Sequence, residues 1–356
     1  MSGEINKMPK ILYGVCGEGL GHASRSRILI ENLKQNNDIK ILAGGKAYKF
    51  LSREFDCVEE IESPRLIYEK GDVKLFNSII LILFRFITKT PLSFIKTRKI
   101  IKNFKPDICI TDAEPISHFA SRLSGIKRVS IDNPQALLYR KYKVSSSEFI
   151  PWFFLIVILK IAILGADKYI IYDFSEKKVD DPKVLFLKPL IQQGILKQKP
   201  TYGNHIFVYQ TSASTEFMFN ILKKFQEKFI IYGFDKEEVD KNIVFRKFND
   251  NDFYNDISSA KAIITNGGFT VLSEALYLKK PVFSIPIKNQ FEQIFNGQII
   301  QRIGAGVYHN KLTENNLKDF IRNLDTYKEN LKSHSPGDQD KIILKIKEEI
   351  QILTKK

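Results

Sequence analysis

Short β-branched runs, many of them continuously apolar, alternate with helix-length mixed segments and limit what this chain can become. In the first half they fall at residues 10–15, 39–43, 107–111, 127–131 and 168–172. In the second they fall at 205–209, 228–232, 242–245, 262–265 and 281–285. A strand wetted on one side alternates apolar with polar residues, whereas a continuous apolar run suits a strand covered on both faces, as in a parallel sheet. The intervening lengths suit crossover helices, so the pattern predicts βαβ units and an α/β architecture. Two such series predict two Rossmann-like domains. The break is expected over residues 189–204, where Pro189, Gly194, Pro200 and Gly203 precede a fresh strand. The expected layout is a first domain over residues 1–195, a second over 203–335, and a terminal amphipathic helix over 336–356. In that helix Ile342, Ile343, Ile346, Ile350 and Leu353 share one face.

The first apolar run opens into Gly17-Glu18-Gly19-Leu20-Gly21-His22 and then an apolar helix. Glycines between a strand and a helix let backbone amides approach an anion at the helix N-terminus. A dinucleotide fingerprint is excluded on two counts: His22 stands where its last glycine belongs, and Gly44 and Gly45 replace the ribose-binding acid. His22 lies where ligands of open α/β sheets bind, and an imidazole there is a candidate general base. Helix capping is its alternative role. Asp112 ends the run at 107–111 and projects into the same crevice, where a carboxylate would fix the imidazole tautomer. Glu114, two residues on, is expected either to bind an acceptor hydroxyl or to take the role of Asp112; turn and N-cap chemistry is the alternative for both acids.

The most informative stretch runs from Ile263 to Leu276, where an apolar strand ends in Asn266-Gly267-Gly268 and a helix opens. Gly267 and Gly268 bare N–H groups at a helix start, which suits a diphosphate, and Thr270 adds a hydroxyl. Glu274 follows one turn later and suits a pair of ribose hydroxyls, while Glu292 and Gln293 suit the hydroxyls of a sugar. Asp250-Asn251-Asp252 spells a metal-binding DxD but precedes a helix, so capping is expected and no divalent metal.

Residues 242–306 resemble the donor-binding half of GT-B glycosyltransferases, in particular UDP-glucuronosyltransferases, plant UDP-glycosyltransferases and the N-acetylglucosaminyltransferase that completes lipid II. Their signature His-Cys-Gly-Trp-Asn-Ser-x-x-Glu falls on Asn266 to Glu274, and their closing acid-Gln pair on Glu292-Gln293. Asn266 departs from the signature histidine and Val271 from its serine. The Gly19-Leu20-Gly21-His22 loop resembles that of the lipid II enzyme. The resemblance implies a GT-B fold with a central cleft and a C-terminal helix crossing back to the first domain. It also implies donor binding by the second domain, with phosphate contact by Ser212 and Ser214, for which an ordinary Ser-rich turn is the alternative, and with Phe248 flanking the base, for which a core position is the alternative. It further implies a His22–Asp112 catalytic pair, and inversion by direct displacement without a metal or any cofactor beyond the UDP-sugar donor.

Charge suggests where the acceptor comes from. Lys and Arg total 55 against 40 acids, a net +15, and residues 1–180 alone hold 29 cations against 20 acids. No acid occurs over residues 73–106, which carry Lys74, Arg85, Lys89, Lys96, Arg98, Lys99, Lys102 and Lys105 among apolar runs. Residues 149–164 are similarly apolar and hold Trp152, interrupted by Lys160. Neither stretch suits a membrane span; both read as helices lying on an anionic leaflet, with core helices of the first domain as the alternative. Nucleic acid is not expected, because the apolar richness beside these cations suits neither a basic recognition helix nor aromatic platforms. Three dispersed cysteines (Cys16, Cys57, Cys109) and a polar N-terminus without a secretory pattern suit a cytoplasmic, peripherally membrane-associated protein. The expected function is inverting transfer from a UDP-sugar to a lipid-linked hydroxyl. The alternatives are UDP-sugar epimerisation or hydrolysis on the same fold, or a non-catalytic membrane-binding module.

Overall fold

All ten apolar runs form strands, displaced by no more than one residue at either end. The structure is a computed structural model and describes residues 8–69, 72–175, 177–210 and 216–355. In the first half the elements run β1 (Lys10–Val15), α1 (Gly21–Lys34), β2 (Asp38–Ala43), α2 (Gly45–Leu51) and β3 (Val58–Glu60). A small hairpin of β4 (Tyr68–Glu69) and β5 (Asp72–Val73) leads to α3 (Leu75–Thr88) and α4 (Thr90–Phe104). Then come β6 (Ile108–Asp112), α5 (Pro115–Arg122), β7 (Lys127–Asp132), α6 (Phe149–Ala162), β8 (Lys168–Tyr172), β9 (Val184–Leu187) and the short linker helix α7 (Gln193–Leu196).

The second half holds β10 (His205–Tyr209), α8 (Glu216–Leu222), β11 (Lys228–Tyr232), β12 (Glu238–Asp240), β13 (Ile243–Phe245) and α9 (Asp250–Ser259). It continues through β14 (Ala262–Thr265), α10 (Phe269–Tyr277), β15 (Val282–Ser284), α11 (Phe291–Arg302) and β16 (Gly306–Tyr308). Three helices close the chain: α12 (Glu314–Arg322), α13 (Leu324–Lys332) and α14 (Gln339–Thr354).

Each half builds a seven-stranded sheet, ordered β3-β2-β1-β6-β7-β8-β9 and β12-β13-β11-β10-β14-β15-β16. The first is parallel throughout, and the second is parallel except for β12 against β13. Burial on both faces explains the unbroken apolar runs: Ile11, Ile41, Ile110, Phe207, Ile263 and Phe283 are all fully buried. Strands β3, β9, β12 and β16 were not legible, being edge or near-edge strands of three or four residues.

Both sheets reverse direction beside their first strand, between β1 and β6 and between β10 and β14. A switch point leaves a crevice at the carboxyl ends of the strands, because the two flanking loops leave in opposite directions. Both glycine loops rise from these switch points. Helix α14 returns to the first half and packs on α1, with Ile342, Ile343, Ile346 and Ile350 buried. Each such side chain is worth about 1.5–3 kcal/mol on burial. A Glu349–Lys168 ion pair at 2.9 Å and Gln339 Oε1, which accepts from Ile191 N at 2.8 Å, fix its placement.

Candidate active site

Parallel register places the first cluster. Val15 pairs with Asp112 across β1 and β6, and Cys16 N donates to Asp112 O at 2.9 Å, so the loop into α1 passes directly over the carboxylate. Gly19 turns that loop with φ +75°, and α1 begins at Gly21. His22 Nδ1 then lies 2.7 Å from Asp112 Oδ1, which leaves Nε2 as the ring nitrogen directed away from the carboxylate. Asp112 is 1% exposed.

The sequence reading missed Arg25. It lies one turn after His22, is buried, and donates through Nε to Asp112 Oδ2 at 2.7 Å and through a terminal nitrogen to Oδ1. Ser26 Oγ donates to Oδ2 at 3.1 Å. Burial opposes ionisation of Asp112, yet the Arg25 guanidinium and His22 overcome it and hold the carboxyl at about 2. A buried arginine on an apolar helix face was the available signal, since such a charge requires a partner.

Glu114 takes neither site role expected of it. Its Oε1 accepts from Ile116 N and its Oε2 from Ser117 N, both at 2.7 Å, so it caps α5. Ser117 Oγ also donates to it. With Pro115 following, this is a helix start rather than a ligand, and His22 is partnered by Asp112.

The second cluster forms at the head of α10. Gly267 has φ +87°, and a Cβ there would stand 2.7 Å from Ser284 Oγ and 2.9 Å from Gln293 O. Gly268 faces open space, with nothing within 4 Å of a Cβ, and caps α10 without a side-chain bond. Thr270 Oγ1 donates to Gly21 O at 3.4 Å, so the heads of α1 and α10 meet across the cleft. Phe174 and Phe269 reinforce that approach with ring centroids 4.8 Å apart.

Glu274 is buried, and burial pushes its carboxyl up to about 8 despite a 2.8 Å bond from Gln192 Nε2. Gln192 precedes α7 in the linker and accepts from Tyr254 OH at 3.0 Å. Neither residue was foreseen.

The remaining expected residues divide. Asn266 is buried and directs Nδ2 to Gln210 Oε1 and to Ile285 O, tying strand ends together. Gln293 Oε1 accepts from Ile287 N at 2.9 Å, so half of its amide closes the loop before α11. Glu292 is half-buried and its charge acts on Arg25, which places it toward the first cluster. Phe248 is 62% exposed beside Phe253, on an open cavity of about 830 Å³ that Glu237, Arg246 and Asp252 also line; it is not a core residue. Asn249 caps α9 by accepting from Asn251 N and Asp252 N, which accounts for the DxD spelling as a helix start. Among the described residues no group of three or more His, Cys, Asp and Glu is placed to hold a metal. Ser212 and Ser214 lie outside the described residues.

Comparison with known proteins identifies the family and the fold. The family model for glycosyl transferase family 1 matches residues 9–325. A glycosyltransferase of Methanosarcina acetivorans is 25% identical over 331 residues, covering 85% of this chain and 84% of its own. One from Methanosarcina mazei is 26% identical over 331 residues, covering 83% and 84%. Among solved structures, a UDP-glucosyltransferase of Polygonum tinctorium superposes with a TM-score of 0.68 at 12% identity, covering 98% of this chain and 99% of its own. MurG of Acinetobacter baumannii does so with a TM-score of 0.63 at 15% identity, covering 97% and 99%. At those identities the structural likeness establishes the fold, GT-B.

Proposed function

The chain belongs to glycosyl transferase family 1, and from that premise we propose inverting, metal-independent transfer of a sugar from a UDP-sugar to a hydroxyl of a lipid-linked acceptor. The observation that carries this reading is the meeting of the two helix heads. A histidine held 2.7 Å from a buried carboxylate stands on one side, and the bare amides of Gly267, Gly268 and α10 stand on the other.

In this proposal His22 Nε2 takes the acceptor hydroxyl proton as the oxygen attacks the anomeric carbon. The bond from that carbon to the diphosphate oxygen breaks on the opposite face, and UDP leaves with the electron pair. Backbone N–H groups at the head of α10 stabilise the charge that grows there. Glu274 receives the ribose hydroxyls, exchanging or sharing its bond with Gln192. Phe248 flanks the base, and Glu292 and Gln293 meet the sugar. Gly19 and Gly21 supply phosphate or acceptor contacts in this proposal, and so do Ser212 and Ser214, which lie outside the described residues.

Surface chemistry supports the lipid-linked acceptor at the cytoplasmic membrane face. Helix α3 exposes Phe76, Ile80, Leu83, Phe84, Phe86 and Ile87, and α6 exposes Phe149, Ile150, Phe153 and Ile158. Both start at the cleft: Asn289 Nδ2 donates to Val73 O just before α3, and Tyr308 OH donates to Glu148 just before α6. The outward face of α4 grades from Leu92 and Ile95 to Arg98, Lys99 and Lys102. Those three cations and Lys105 line a concavity of about 560 Å³ without an acid. Apolar residues beside cations suit the boundary between acyl chains and anionic headgroups. No single helix among the described residues is long and apolar enough to cross a membrane; α3 and α4 pass that test only together, bent by 52°.

The test is UDP release from UDP-glucose, UDP-N-acetylglucosamine and related donors, with and without a native lipid extract. Acceptor-dependent release that falls by about 10²–10⁴-fold in His22→Ala is expected. Wild-type turnover in that variant overturns the base, and donor consumption without acceptor favours epimerisation or hydrolysis. Sedimentation with phosphatidylglycerol vesicles but not phosphatidylcholine vesicles tests the surface. Vesicle binding without donor affinity favours a non-catalytic module.

A further inference from the structure

Three residues on one face of α1, His22, Arg25 and Ser26, converge on one carboxylate 86 to 90 residues away. The guanidinium takes both oxygens of Asp112 in a fork, while the same terminal nitrogen that serves Oδ1 stands 2.6 Å from His22 Nδ1. A guanidinium only donates, so Nδ1 sits between two opposed demands. Carrying a proton it donates to Asp112; without one it accepts from Arg25. An anionic carboxylate alone attracts a proton to the neighbouring imidazole, and the buried guanidinium beside it acts in the opposite sense.

We infer that Arg25 is a positioning residue of the transfer centre, which works as an Arg25–Asp112–His22 relay rather than as a carboxylate–imidazole pair. This rests on His22 acting as the base. The fork holds Asp112 in one orientation and neutralises it. His22 therefore receives the acceptor proton during transfer and releases it to water afterwards, instead of remaining an ion-paired imidazolium beside a sugar diphosphate. The other groups around the relay are Tyr13 from β1, Cys16 just after it, Asp132 from β7, Tyr172 from β8 and Glu292 from α11. Of these, Asp132 and Glu292 are the acids that act on the guanidinium.

The experiment uses protein labelled with ¹⁵N-histidine. The chain has five histidines, so His22→Ala assigns the ring signals of His22. Their pH titration is followed without substrate in wild type, Arg25→Met and Arg25→Lys, and kcat and KM are measured for UDP release with lipid extract. Arg25→Met is expected to move the ring's protonation midpoint up by about one pH unit or more and to lower kcat at least about tenfold. Donor KM should stay within about twofold, since Arg25 is buried and its guanidinium is engaged with Asp112. Arg25→Lys restores the midpoint through its charge, but only part of kcat, because a point charge cannot fork. An unchanged midpoint and kcat in Arg25→Met overturn the relay. Should that variant fail to fold, Arg25→Met with Asp112→Asn strips both buried charges and is compared with Asp112→Asn alone. Equal kcat is expected, and a further drop of about tenfold overturns the proposal. Wild-type turnover in His22→Ala overturns the base reading itself, while the titration still judges Arg25.

Discussion

Asp112 and Glu274 are each 1% exposed, one beside each glycine loop, yet burial leaves them in opposite charge states. Asp112 is held at about 2 and Glu274 is pushed up to about 8. Desolvation acts on both in the same direction; what differs is the partner. Asp112 has a guanidinium and an imidazole within bonding distance, whereas among the described residues the side chain that bonds Glu274 is the neutral amide of Gln192. Depth therefore does not set charge in this protein; the countercharge does. The half proposed to move a proton has a carboxylate ionised at neutral pH, and the half proposed to grip a ribose has one poised to change state.

The largest effect should come from removing that countercharge balance. Asp112→Asn leaves Arg25 buried without its anion, at a cost of about 3–5 kcal/mol. In the folded fraction, UDP release should fall by about 10²–10⁴-fold. Calorimetry and turnover check this, and a stability change below about 1 kcal/mol would break the comparison.

The glycine loop of the donor half offers a test of the next size. Gly267→Ala places a Cβ at φ +87° against Ser284 Oγ and should cost about 1–3 kcal/mol. Gly268→Ala has φ −63° and open space around it, so its stability should stay within about 0.5 kcal/mol. Donor affinity should nonetheless fall in Gly268→Ala, because the new methyl stands where the diphosphate is proposed to lie. Denaturant melts paired with UDP titration separate the two.

Glu274→Gln sharpens the pH side. In the wild-type protein this carboxyl binds its proton more tightly when folded, near 8, than when unfolded, near 4.5. Between those values the unfolded chain ionises first, so stability falls as pH rises, by an amount on the order of a few kcal/mol. Glutamine removes that loss, and its melting temperature should exceed wild type at pH 8 but match it near pH 4. Asp112 carries the opposite sign: its contribution is complete above about 3.8 and is lost as pH falls through about 2. Glu274→Gln should also weaken donor binding by about tenfold, read by isothermal titration. Affinity for UDP in wild type should rise as pH passes through 8.

The smallest expected effect is Asn249→Ala, which removes the α9 cap for about 1 kcal/mol and leaves donor binding unchanged. A loss of donor binding instead would reopen the DxD reading.

The amino-acid order alone determined the ten principal strands, the two glycine loops, the break between halves and the terminal helix. Each is written in neighbouring residues, through apolar continuity, helical spacing or the φ freedom of glycine. It also placed His22 and Asp112 at one crevice, since both end or follow strands that a parallel sheet must set side by side. Tertiary structure decided the rest. Arg25 meets Asp112 across 87 positions and Gln192 meets Glu274 across 82, so no local pattern records either contact. Glu114 and Asp112 are two residues apart in the same turn and look alike in sequence. One faces the amides of α5 and the other faces α1, and only the packed sheet distinguishes them. In the apolar runs of α3 and α6 the sequence pattern does not separate outward from inward faces, and the packed structure leaves Phe76, Ile87, Phe149 and Ile150 exposed. Spacing along a chain fixes which face a residue shares; what lies opposite that face is settled only when distant segments meet.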